Sequence, residues 1–119
     1  MDTRPKTIFC DIDGTLVKHN LPAKNTDALK NLVILSGTIE KISEWDAKGY
    51  NIILTTGRRE SMRKATEEQL AAYGIFYDQL IMGIGGGDRI VINDCKPDGR
   101  QTAFAINLKR NEGISKIDI

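Results

Sequence analysis

The 119-residue sequence is poor in the residues that mark several functional classes: it has two cysteines, three prolines, one histidine and 6% aromatics. Two cysteines, Cys10 and Cys95, cannot make the disulfide framework of a small secreted domain. No apolar run approaches the length of a membrane-crossing helix. Lys and Arg number 17 against 16 Asp and Glu, for a net charge of +1. That balance, without a basic-aromatic stripe, disfavours nucleic acid and membrane surfaces as partners. The opening residues Met1 to Lys6 are polar and run straight into a strand-like segment, which is no leader pattern, so a cytoplasmic protein is expected. With 40% hydrophobic and 28% charged residues, the composition is that of one ordinary globular domain over 1–119.

What is present is a repeated alternation. Lys6 to Cys10 reads as a buried strand, followed by a polar stretch from Val17 to Asp27 that suits a loop or the arm of a small flap, approximately 17–37. Leu32 to Leu35 suits a short strand or a hairpin's return arm. Thr38 is placed to cap a helix that ends at Gly49. Tyr50 to Thr56 is continuously apolar at its centre, as a strand covered on both faces would be. Ser61 to Tyr73 has a helical period with Met62, Ala65, Leu70 and Tyr73 inward, and Gly74 stops it. Gln79 to Met82 and Arg89 to Ile92 read as third and fourth strands, joined by the glycine-rich connector Gly83–Gly87. Residues 102–108 fit a strand better than a helix, pairing antiparallel with their predecessor because the preceding loop is too short for a helical crossover. Strand alternating with helix predicts an α/β fold, a Rossmann-like three-layer sandwich with a mainly parallel sheet.

Ligands in such sheets collect at the carboxyl ends of the strands. The sequence places polar residues there three times: Asp11 and Asp13, Thr55 and Thr56, and Asp94 with Asp98. Two carboxylates two residues apart after a buried strand are costly without a partner, and a bound cation or a shared proton resolves the cost. A solvated acidic turn is the bland alternative for Asp-Ile-Asp-Gly, but it does not account for the other two strand ends.

Asp-Ile-Asp-Gly-Thr (11–15), Leu-Thr-Thr-Gly-Arg (54–58) and Ile-Asn-Asp-Cys-Lys-Pro-Asp (92–98), in this order, resemble the haloacid dehalogenase superfamily of phosphatases. The resemblance implies Asp11 as a nucleophile that forms an aspartyl-phosphate and Asp13 as general acid and base. It implies Thr56, with Thr55 as runner-up, as the hydroxyl that holds a phosphoryl oxygen. It implies Gly14, Gly57 and Arg58 beside the phosphate, Gly14 by letting the backbone turn tightly, with pairing to helix acids as the alternative for Arg58. Mg²⁺ is the implied cofactor, held by Asp11, the Asp13 carbonyl, Asp94 and, with a plain turn as its alternative, Asp98. The family's basic residue has no clean match. Lys96 is the first choice, and Arg63, Lys64, Lys109 and Arg110 are others; Arg89, about five residues or roughly 16 Å before Asp94, starts its strand at the wrong end.

The Gly83–Gly87 stretch lacks the Lys-Ser/Thr ending of a phosphate loop and reads as a connector, and His19 reads as a solvated flap residue. Cys10 and Cys95 each neighbour a proposed site aspartate; packing is their default role, and a redox role is an open alternative. The gaps after the first and second motifs are too short for a cap domain. A capless member has an open site, which suits a homo-oligomer, and the expected substrate is a phosphorylated sugar or a similar small metabolite. A polynucleotide 3′-phosphatase and a catalytically weak phosphate-binding domain are the alternatives.

Overall fold

The computed structural model describes residues 2–19 and 32–119. Its regular elements are β1 (Thr7–Asp11), α1 (Thr38–Ala47), β2 (Asn51–Thr55), a 3₁₀ turn (Glu60–Met62), α2 (Arg63–Ala72) and β3 (Gln79–Ile81). The strands form one parallel sheet in the order β1-β2-β3. In register, Cys10 lies opposite Leu54, and Leu54 opposite Leu80.

Two successive crossovers that step in the same direction across the sheet, both right-handed, put both helices on one face. The core agrees. Cys10, Ile52, Leu54 and Leu80 form a single buried cluster with Ile42 and Trp45 of α1 and Met62 and Leu70 of the second crossover. The opposite face carries Phe9 beside Ile53, and Asp11 beside Thr55 and Ile81. There Phe9 is 61% exposed and Ile81 40% exposed. The α/β class and the parallel sheet are as the sequence predicts, but the third layer is not formed among the described residues. The apolar centre of β2 is therefore covered on one side only.

Gly37, with φ +87°, precedes α1 as its N-cap. A side chain there would run into the backbone of Ser115. Thr38 does not cap the helix, as the sequence suggested. Buried within its first turn, it donates its hydroxyl to the Leu16 carbonyl at 2.7 Å, tying α1 to the loop after β1. Lys18 N–H bonds Val33 O at 2.8 Å and Leu35 N–H bonds Leu16 O at 2.9 Å, the antiparallel base of a hairpin. The body of the expected flap, residues 20–31, lies outside the described residues.

Beyond β3 the expectation fails. Neither 89–92 nor 102–108 joins the sheet. Ile90, Val91, Ile92, Phe104 and Ile106 are all more than half exposed. Met82 to Arg89 is too short for the crossover of a dozen or more residues that a parallel fourth strand needs. The chain instead leaves the sheet as an arm, 89–108, and returns.

Candidate active site

The loop after β1 is held from below. Ile12, Leu16 and Val17 are fully buried, and the Ile12 carbonyl accepts from the N–H groups of Thr15, Leu16 and Val17 at 2.9–3.2 Å. The alternate residues Asp11, Asp13 and Thr15 are thereby left half-exposed at the carboxyl end of the sheet. Gly14 takes φ +92°, a left-handed conformation that favours glycine. Its N–H bonds the Val17 carbonyl at 2.7 Å and its own carbonyl accepts from Asn111 at 2.8 Å.

The two carboxylates meet different surroundings. Asp11 receives the Thr15 hydroxyl at 3.3 Å. Burial, then the neighbouring Asp13 charge, push its carboxyl above the usual carboxylate range; Thr15, the charge of Arg89 and the Ile12 amide pull the other way. Asp13 is gripped by Arg58: Nη2 donates to Oδ1 at 2.8 Å and Nε to Oδ2 at 3.1 Å. This bidentate fork is the stronger kind of charge-assisted pairing. The Arg58 side chain is only 3% exposed. Its Nη1 donates to Thr66 at 3.3 Å and to Gln69 at 3.2 Å, so α2 sets the fork's plane. Thr56 Oγ1 donates to Asp13 Oδ2 at 3.1 Å and accepts the Arg58 N–H at 3.1 Å.

Asp11, Asp13, Gly14, Thr55, Thr56, Gly57 and Arg58 thus converge, with adjustments to what the sequence suggested. Arg58 is neutralised against Asp13 rather than against helix acids or open to a ligand. Thr56 is fully buried with its proton committed to Asp13, whereas Thr55 is half-buried and sits opposite Asp11 in register. A side chain on Gly57 would come within 2.9 Å of the Ile84 carbonyl, because the Gly83 and Ile84 amides bond Arg58 and Thr56.

Lys96, Asp94 and Asp98 are not brought to this cluster. The charge of Lys96 acts on Asp2, and Arg100 pairs with Asp2 at 3.0 Å, before the amino end of β1. Arg89, expected at the wrong end, is the arm's cation whose charge reaches Asp11. Arg110 also borders the site, its Cγ against the face of Gly14. Arg63 pairs with Glu60 and Glu67 instead. Thr15 stood in the first motif without a role, and Thr66 and Gln69 carried no local signal in the sequence.

An Mg²⁺ ion asks for several oxygen ligands. Among the described residues no three acidic, histidine or cysteine side chains converge to hold one. Asp94 and Asp98 stay away from Asp11, so among the described residues the side chains of the metal site implied by the resemblance are not brought together.

A parallel α/β sheet thus carries at its carboxyl end one half-exposed carboxylate, Asp11, beside a second, Asp13, held by an arginine fork. The sequence profile of the haloacid dehalogenase-like hydrolases matches residues 8–77, and the chain belongs to that family. No curated protein sequence matches it. Among solved structures, a chain of the Pnkp1/Rnl/Hen1 complex is 33% identical over 72% of this chain, with a TM-score of 0.59. This chain spans only 30% of that relative's length. A protein from Vibrio cholerae is 22% identical, with 89% of this chain and 84% of that one covered and a TM-score of 0.53. The D,D-heptose 1,7-bisphosphate phosphatase of B. bronchiseptica, solved with magnesium and phosphate, is 21% identical, with 70% and 52% covered and a TM-score of 0.52. The fold is thus shared with a phosphatase. Among the described residues there is no cap domain, and no helix is long and apolar enough to cross a membrane.

Proposed function

We propose that the chain hydrolyses phosphomonoesters through an aspartyl-phosphate on Asp11. The observation that carries this reading is the unequal pair: Asp11 is desolvated and lightly bonded, while Asp13 is locked in place by Arg58 and Thr56. A partly desolvated carboxylate needs no deprotonation to attack phosphorus. In the first step an Asp11 oxygen bonds phosphorus, the ester P–O bond breaks, and the leaving oxygen takes a proton carried on Asp13 Oδ1, the oxygen that accepts from Arg58 alone. In the second, water attacks phosphorus, gives its proton to Asp13 and frees phosphate and Asp11. Thr55, opposite Asp11 in register, takes the role of the hydroxyl that holds a phosphoryl oxygen in this reading. Arg58 and Thr56 act as positioning residues for Asp13, and Arg89 and Arg110 supply positive charge at the rim.

The substrate reading is a small phosphorylated metabolite, such as a sugar phosphate. A second reading, a phosphorylated RNA end, is favoured by the 33% identity to a chain of an RNA repair complex. Phosphate release from a panel of sugar phosphates, p-nitrophenyl phosphate and 3′-phosphorylated oligonucleotides tests both. Turnover of a panel member, abolished in Asp11→Asn, supports the reading. Wild type and Asp11→Asn equally inert across the panel would overturn it.

A further inference from the structure

We propose that two copies of this chain exchange residues 89–108, each arm pairing with the β1 edge of the other copy, unpaired among the described residues, and carrying Asp94 to the other's Asp11. Two uncovered surfaces motivate this. The first is the sheet: β1 is an edge strand whose outer face presents Phe9, beside Ile53. The second is the arm. Residues 85–95 and 101–108 make no backbone–backbone hydrogen bond to any described residue, although Ile90, Val91, Ile92, Phe104 and Ile106 favour a ladder. A strand-forming segment without a ladder and an open edge beside it are a template for pairing between chains. Within one chain the two are not paired with each other.

The direction of the arm selects the partner. The arm sets out from Ile84, whose N–H bonds the Thr56 carbonyl just past the carboxyl end of β2, whereas Arg100 meets Asp2, before the amino end of β1. The first limb therefore runs against β1. A two-fold axis perpendicular to the strands reverses the second copy, so that copy's limb runs parallel to this β1. Its Asn93 and Asp94, at the far end of the limb, then arrive at the carboxyl end beside Asp11. Exchange thus supplies the acidic side chain that one chain does not bring to its own site. The arm is anchored at Ile84, through Thr56, and at Asn111, through Gly14, and Gly85, Gly86 and Gly87 between them are unobstructed. Two reciprocal arms of 20 residues supply about the 20–30 residues a side of a standard stable interface. A symmetric, self-complementary exchange also closes, using both β1 edges.

The test begins with sedimentation and light scattering, which do not depend on activity. A species of twice 13.2 kDa is expected; a monomer at tens of micromolar overturns the proposal. Ile92→Asp, at a position 93% exposed within one chain, should yield a folded monomer by circular dichroism. A dimer unaffected by it overturns the arm's role. Mg²⁺ should raise the melting temperature of wild type and not of Ile92→Asp; equal shifts count against the delivery of Asp94. Only the last measurement rests on the phosphatase reading. Mixing inactive Asp11→Asn with inactive Asp94→Asn should restore up to about a quarter of wild-type turnover, since half the dimers are mixed and each holds one intact site. No restoration, with wild type active, sinks the exchange. A dimer that turns over no ester leaves the exchange standing and removes the phosphatase reading.

Discussion

Replacing Arg58 tests how the site is held. Its side chain is 3% exposed and donates four hydrogen bonds, two to Asp13 and one each to Thr66 and Gln69. Arg58→Met removes all four, leaving a carboxylate that is 28% exposed without its charge partner. Breaking a buried ion pair by removing one partner costs about 3–5 kcal/mol. Asp13 retains some water, so the lower end, about 3 kcal/mol, is expected. At roughly 4 °C per kcal/mol for a domain of this size, the melting temperature should fall by about 12 °C. Arg58→Lys keeps the charge but loses the planar fork and should cost about half as much. Urea unfolding followed by the single tryptophan, Trp45, which is buried in the core, reads both. With Asp13→Asn these variants complete a double-mutant cycle, and a coupling energy of about 2 kcal/mol is expected. A loss under about 0.5 kcal/mol for Arg58→Met would refute the claim that this pair organises the site.

The raised Asp11 carboxyl has a stability consequence of definite sign. Its folded pKa lies above the unfolded one, so the folded state binds the proton more tightly and the charged form opposes folding once the pH rises through that range. Asp11→Asn should therefore stabilise at neutral pH, by on the order of 1 kcal/mol, with the gain fading below pH 4; melting curves at pH 3.5 and 7 that show no difference in the gain would contradict this. Gly37→Ala meets both a left-handed backbone and Ser115, and should destabilise by roughly 2 kcal/mol or more in the same urea assay. Cys10, whose thiol burial pushes up to about 12, should resist thiol reagents at pH 8 until the protein unfolds. Native-state labelling of Cys10 by mass spectrometry would refute that and revive a redox role.

The parts legible in the sequence were those settled by near neighbours in the chain. An apolar run ending in Asp-Ile-Asp-Gly announces a strand and its acidic turn, because alternate residues must point opposite ways and Gly14 alone accepts the turn. The two helices were legible from their 3.6-residue period, with the detail that Thr38 serves the Leu16 carbonyl instead of capping. The fourth strand was misread because β-forming composition in Arg89 to Ile92 reports a preference for pairing, not the existence of a reachable edge.

What the sequence determined by itself was the order of motifs, the parallel α/β class and the identity of the carboxylate pair, since each depends on spacing within a few residues. Tertiary structure decided the rest. Only contact across 45 residues shows Arg58 gripping Asp13 and thereby taking Thr56 away from a ligand. Only the sheet order shows that both crossovers fall on one face and leave Phe9 bare. Only the path of the arm shows Asp94 carried away from Asp11, because a six-residue connector (83–88) cannot reverse direction twice to lay down a parallel strand.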